Sequence, residues 1–415
     1  METPSKKEVW SWAFYDFANS SYGFVVASML FPIFYRTFLA GNTGQADFYW
    51  GLSFGISVAL AALACPIIGA LADHAKNKKE LLIISTVLCI IGTSLLYFTP
   101  SMGLLAASIL FILTNCMYTI GAVLYDSFLM DVATYHNKGR VSGFAWGFGY
   151  IGGLVALIVL IPLFIKGFEG PNLSTYLLTF PGTALFFLLF ALPAFIFLRS
   201  HRHQAATVTV GQALPAAFRS LFETLKNWRM HKNVLLFLAA FYLLSDGLNT
   251  IFSFTAIYAT VTLGLTVIKT MLVIATVYIV GFPATLITGR LADRFGCKPV
   301  IMASAIGWIV VVILLMLKPS FGLLLGVAVL TGIVIGSSQA PARTLLAKLV
   351  PADKASQFFG FNGLASKISA SLGPVLFGAV SWWSGSQVVA LASIIPFFAA
   401  SILVLLFVRE NTIQS

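Results

Sequence analysis

Twelve apolar runs, each close to the length that crosses a bilayer, alternate with short polar segments. They cover residues 10–39, 48–72, 80–99, 103–125, 141–165, 176–198, 233–258, 267–288, 299–317, 321–342, 357–380 and 387–408. A bilayer core takes about 20 apolar residues as a helix. Lipid offers no partner to backbone amides and carbonyls, so runs of this length predict helices. The first run follows Lys6 and Lys7 as a secretory leader would. It is too long for one, and no small-residue cleavage site is evident, so it predicts a retained span.

Composition sharpens that picture. Of 415 residues, 59% are hydrophobic and 9% charged, and the mean hydropathy is +0.94. Soluble domains carry about 25% charged residues, so lipid must be the solvent for most of this surface. The net charge of +11 does not indicate a nucleic-acid partner, because the charges sit in short clusters between apolar runs. With the N-terminus inside, twenty Lys and Arg fall on inner segments, whereas Arg36, Lys166, Lys269 and Lys318 fall outside. That asymmetry places both termini in the cytoplasm. Cys65, Cys89 and Cys116 fall within runs and Cys297 in an inner loop, with no metal-ligand spacing. No metal and no cofactor is expected. No phosphate-binding G-x-x-x-x-G-K-[ST] segment is present, and no cluster of catalytic His, Asp or Ser, so neither an ATP motor nor an enzyme is expected. All five histidines lie in inner loops, which excludes an intramembrane histidine relay.

The longest inner connector splits the chain into a six-span half at 1–198, a linker at 199–232 with a short surface helix expected at 217–225, and a second half at 233–415. The halves repeat each other. Asp16-Phe-Ala-Asn19-Ser20 matches Asp246-Gly-Leu-Asn249-Thr250, Gly69-Ala-Leu-Ala-Asp73 matches Gly289-Arg-Leu-Ala-Asp293, and Gly143-Phe144 matches Gly360-Phe361. Six spans per half keep the two copies parallel. The expected fold is an all-α membrane protein with twelve transmembrane helices in two parallel-repeat six-helix bundles, a common plan among transporters.

Charges inside spans are costly and mark function by default. Asp16, Asp246 and Lys367 are therefore candidates for a substrate or proton site, with Asn19, Asn249, Ser20, Thr250, Tyr15, Tyr125 and Gln339 as polar contacts whose alternative is hydrogen bonding between helices. The alternative for the charged residues is a structural ion pair. Asp126 and Arg343, near the inner ends of spans four and ten at an offset of 217, could gate a cavity or simply reach water. The paired loops Gly69–Lys79 and Gly289–Lys298 offer a latch, with Asp73 and Asp293 facing helix N-termini. Glycine-rich faces on spans five and eleven, including Gly143, Gly147, Gly149, Gly152 and Gly153, predict close helix packing.

Several of these segments resemble one family. Trp12-Ala-Phe-Tyr15-Asp16-Phe-Ala-Asn19-Ser20, Gly139-Arg140-Val-Ser-Gly143-Phe-Ala-Trp146, Gln339-Ala-Pro-Ala-Arg343-Thr344, Phe358-Phe-Gly360-Phe361 and Gly363-Leu-Ala-Ser-Lys367 through Gly373-Pro374 are similar to the major facilitator branch related to the autophagy-linked vacuolar amino-acid effluxers. The resemblance spans the whole chain in the family's order. It departs at Pro341-Ala342-Arg343-Thr344, where the family carries a Ser-Arg-Ser-like run. It implies a secondary transporter moving a small solute, amino acids among the expected ones. The compact loops point to a bacterial inner membrane, a monomer is expected, and the intramembrane carboxylates suit proton coupling, with facilitated diffusion as the alternative. A siderophore, peptide or lipid substrate, or a non-transporting sensor of the same fold, are the alternatives.

Overall fold

The computed structural model describes residues 5–74, 78–133, 138–199, 232–349 and 371–410. Their backbone is helical almost throughout. The long helices are α1 (Lys6–Leu39), α2 (Gly44–His74), α3 (Lys78–Leu95), α4 (Thr99–Ser127), α5 (Lys138–Phe164), α6 (Thr179–Phe197), α7 (Lys232–Thr262), α8 (Val267–Phe295), α9 (Cys297–Met316), α10 (Phe321–Leu349), α11 (Leu372–Ser384) and α12 (Gln387–Phe407). They follow the twelve apolar runs in order. The first part of the eleventh run, with Lys367, lies outside the described residues, as do most of the 199–232 linker and its expected surface helix.

Local chemistry sets the ends. α1 starts at Lys6 rather than residue 10 because Ser5 and Glu8 form a reciprocal cap. Glu8 N donates to Ser5 Oγ at 3.3 Å, and Ser5 N donates to Glu8 Oε2 at 2.9 Å. This satisfies amides that helix geometry leaves open. Between α3 and α4 the chain reverses, and the backbone leaves helical geometry at Gly103 (φ 78°, ψ 165°), where the fourth run was expected to begin. Cys297, expected in a loop, instead opens α9 and is buried. The reason is Glu410, whose carboxylate accepts from the amides of Cys297 and Lys298 at 2.9 and 2.8 Å. An acid at a helix N-terminus pairs with the exposed amides and the helix dipole, so the helix extends into the segment read as loop.

The chain divides into two compact units, Met1–Asn42 with Ile56–Ala216, and Thr43–Gly55 with Ala217–Ser415. In the first, α1 packs on α5 and α6, and α3 packs on α4 and α6. In the second, α7 packs on α11 and α12, and α9 packs on α10 and α12. These are the same partners shifted by six helices, as a parallel repeat requires. A lysine near the start of the third helix of each unit repeats a further detail. Lys79 Nζ donates to Ile196 O at the end of α6. Lys298 Nζ donates to Leu406 O and Val408 O at the end of α12. Each cation satisfies carbonyls that a helix end leaves without partners.

Ten described helical stretches are long and apolar enough to cross a bilayer, and the longest, Lys78–Ser127, contains both α3 and α4. Large apolar side chains cover the outside: Leu105, Leu317, Trp383 and Phe407 are all exposed. A surface so rich in large apolar side chains is untenable in water and natural in hydrocarbon.

Candidate functional site

Four of the predicted site residues, Asp16, Asn19, Asp246 and Asn249, fall on two corresponding helices, one per unit. In the first unit Asp16 and Asn19 lie mid-sequence in α1. Asp16 is half-buried and Asn19 buried. The Asp16 carboxylate lies against α5, where a Cβ added at Gly149 would stand 2.9 Å from Asp16 Oδ2 and 3.0 Å from Ser20 Oγ. One turn on, Gly152 meets the backbone of Phe17, so α1 and α5 touch main chain to main chain. Glycine permits that approach, as the run of small residues in span five implies.

In the second unit Asp246 is 1% exposed on α7. Its Oδ1 accepts the amide of Gly373 at 2.9 Å, in the first turn of α11. First-turn amides have no partner within their own helix, so a carboxylate can take one. Asn249 is half-buried and donates to Ser245 O at 2.7 Å on its own helix. Thr250 likewise donates to Asp246 O at 2.8 Å. Of the proposed polar neighbours in this unit, Asn249 thus has its amide nitrogen engaged locally.

Asp126 lies at the end of α4 and is exposed. Asp73 and Asp293, expected in loops, lie instead within the last turns of α2 and α8, and Arg343 lies on α10. Their side chains, like Lys367, lie outside the described part of the structure.

Three charged or polar centres escaped sequence reasoning wholly or in part. Lys78, expected in a loop, is the first residue of α3, pairs with Asp131 at 2.7 Å and stands 4.2 Å from the centroid of the Phe128 ring. Asp131 is 5% exposed in the short helix Leu129–Val132. It follows the fourth run, where an acid looks like an ordinary loop residue. Replacing Lys78 by Met is expected to lower thermal stability, and Asp131→Leu in the same protein to recover part of the loss. A double-mutant cycle on purified protein should return roughly 1–3 kcal/mol of coupling; additive effects would show that the pair contributes nothing of its own.

Asp47 is the second. It sits in the first turn of α2 with no exposure, in the stretch that belongs to the second unit. Its carboxylate accepts from Ser381 Oγ of α11 and from Gln387 Nε2 of α12, the latter at 3.0 and 2.9 Å. Thr262 Oγ1 donates in turn to Gln387 Oε1. Ser381 and Gln387 thus tie this buried carboxylate to α11 and α12. The third centre is a seam of tyrosines between α1 and α4, in which Tyr15 and Tyr125 were expected as polar contacts and Tyr22 and Tyr118 were not. Tyrosine counts as apolar in a hydropathy window although its hydroxyl needs a partner when buried.

Comparison with known proteins follows from this architecture. The chain is 28% identical to an uncharacterized MFS-type transporter, YxiO of Bacillus subtilis (strain 168), over 97% of this chain and 95% of that one. It is 25% identical to autophagy-related protein 22 of Kluyveromyces lactis, over 79% of this chain and 73% of that one. The structure superposes on that of a D-xylose-proton symporter with a TM-score of 0.75 at 16% identity, covering 97% of each chain. The fold is therefore that of the major facilitator transporters, and the relatives are transporters rather than enzymes. The family described as vacuole effluxer Atg22 like matches residues 45–139 and 130–413, from α2 through α12, and the chain belongs to that family.

Proposed function

We propose that the protein is a secondary active transporter that moves a small solute across its membrane by alternating access. Amino acids are the first class to test, because the chain shares its family with proteins described as vacuole effluxers. The observation that carries this reading is the pair Asp16 and Asp246, two carboxylates at matching places on α1 and α7 of a repeated helical plan. Carboxylates within spans are costly to keep and are retained where they handle charge.

In this reading the halves 1–198 and 233–415 rock about a central site, joined by the 199–232 linker. Asp16, Asn19, Asp246, Asn249 and Lys367 contact solute or protons. Asp73, Asp126, Asp293 and Arg343 act at the gates. The protein works as a monomer in a bacterial inner membrane, with both termini cytoplasmic. One proton crossing about 100 mV supplies about 2.3 kcal/mol, which sustains roughly a fifty-fold gradient. A single titrating carboxylate is then sufficient for coupling.

The test is flux in proteoliposomes loaded with a mixture of radiolabelled amino acids, with and without an imposed proton gradient. Saturable flux that responds to the gradient supports the reading, and Lys367→Ala should reduce it. Absence of amino-acid flux, with saturable movement of a siderophore or peptide, would keep the transporter and discard the amino-acid assignment. No flux of any solute class would leave a sensor as the better reading.

A further inference from the structure

The N-terminal ends of α1 and α5 carry residues in the same order. On α1, Lys6, Trp10 and Phe14 follow at every fourth position, and on α5 Arg140, Phe144 and Phe148 do the same. Residues four apart share a helix face, so each helix sets a cationic residue one turn before two rings. The two series are in step. The Trp10 and Phe144 rings meet edge to face with centroids 5.0 Å apart, and Phe14 and Phe148 meet in the same way at 5.1 Å. Arg140 thus occupies the same level of the helix pair as Lys6. Lys7, three residues before Trp10, borders the same face of α1.

Exposure falls along this ladder of rings. Trp10 is 48% exposed and Phe144 40%. Phe14 and Phe148 are half-buried. Phe17, the next ring on α1, is buried against Phe148 and Phe190. The ladder is therefore open at the helix starts and closed at depth. Its rings touch one another, so it presents an outer surface rather than a cavity, and an occupant must lie along it.

Charge decides among the occupants. Lys6 and Lys7 are both exposed. Glu8, the acid of that first turn, is buried, and its carboxylate accepts from Ser5 N and Ser5 Oγ, each at 2.9 Å. The foot of the ladder is therefore positive, and the rungs above it are apolar. A lipid with an anionic head and apolar chains has the complementary order. Cations at the membrane surface attract anionic lipid, and a Trp one turn deeper sits where its ring bridges the polar and apolar layers. A zwitterionic head gains no net attraction from the lysines. A second copy of this chain, docked through the same face about a two-fold axis, would bring like charges together.

We infer that this ladder is a docking face for an anionic phospholipid, with the phosphate at Lys6 and Lys7 and an acyl chain across Trp10 and Phe144. The leaflet is the inner one, on the cytoplasmic placement of the N-terminus proposed above. The inference concerns the lipid around the protein and is independent of which solute moves.

The test uses Trp10 as the reporter. The purified full chain is reconstituted into phosphatidylcholine vesicles. An equal minor fraction of the lipid is either phosphatidylglycerol or phosphatidylcholine with brominated acyl chains, which quench tryptophan on contact. The part of the quenching lost in Trp10→Phe belongs to that residue. Brominated phosphatidylglycerol should quench that part more strongly than brominated phosphatidylcholine. In the double variant Lys6→Gln with Lys7→Gln, which leaves the Ser5–Glu8 cap in place, the preference for phosphatidylglycerol should fall about tenfold or more. Raising the salt concentration should reduce the same preference in the parent, because salt screens exposed charges; this measurement needs no variant beyond the Trp10→Phe reference. Equal quenching by the two lipids, a preference unchanged in the double variant, or one indifferent to salt would overturn the inference. Failure of both lipids to quench Trp10 would mean that protein covers this face, and would overturn it as well. Solute flux in pure phosphatidylcholine vesicles reports on the transporter reading separately.

Discussion

Adding one methyl group at Gly152 should lower the melting temperature of the purified protein by about 5 °C or more and abolish transport. A Cβ there would stand 2.6 Å from Phe17 Cα and 2.7 Å from its carbonyl carbon, with the carbonyl oxygen nearer still. These are backbone atoms, so no rotamer change can relieve the contact. α1 and α5 must separate, at a cost of about 1–3 kcal/mol or more. The separation falls one turn from Asp16 and Asn19, so a small movement also displaces the proposed site. Gly326→Ala is the control. It lies on α10 with nothing within 4 Å of the added atom, and alanine favours helix by about 1 kcal/mol over glycine. Fluorescence-monitored melting in detergent should place Gly326→Ala at or above the parent and Gly152→Ala well below it. Equal melting temperatures for the two would show that the α1–α5 contact is looser than the structure has it.

The contrast between these glycines marks what the chain makes legible. Span number, order and repeat could be read because hydropathy and loop charge respond directly to the bilayer. The small-residue run on span five announced close packing, although which glycine touches which backbone depends on helix rotation. That rotation is hidden because these spans are apolar all round, and a helix without an amphipathic face gives no hint of which side meets lipid. Asp16 and Asp246 stood out as charges within apolar runs. Asp47 and Asp131 did not, because each lies just outside a run and is buried only by what the fold brings to it: Ser381 and Gln387 for the first, Lys78 for the second. Of the tyrosine seam, Tyr15 and Tyr125 were expected as polar contacts, whereas Tyr22 and Tyr118 were hidden for another reason. Those two look like ordinary apolar filling until α1 and α4 bring the rings together.

Asp246→Asn should leave the fold intact and reduce transport by about tenfold or more, equivalent to about 1.4 kcal/mol or more in the rate-limiting step. The geometry makes this a clean substitution. Asp246 Oδ1 accepts the Gly373 amide, and the asparagine oxygen can take the same bond at the same place. Volume and helix preference change little, so the amide contact between α7 and α11 survives. What disappears is the negative charge and the ability to carry a proton. Gly373 itself offers the opposite perturbation. A Cβ there would crowd Thr250 Oγ1 and stand 3.0 Å from both Asp246 O and Asp246 Oδ1, so Gly373→Ala changes the packing and leaves the carboxyl chemistry present. If Asp246 carries the coupling proton, Asp246→Asn melts near the parent temperature and loses the pH dependence of flux, while Gly373→Ala melts lower and keeps that dependence in whatever flux remains. If Asp246 is a structural acceptor for the first turn of α11, Asp246→Asn transports with the parent's pH profile, and Gly373→Ala is the more damaging of the two. Melting curves and pH-resolved flux on both variants decide between a proton carrier and a helix cap.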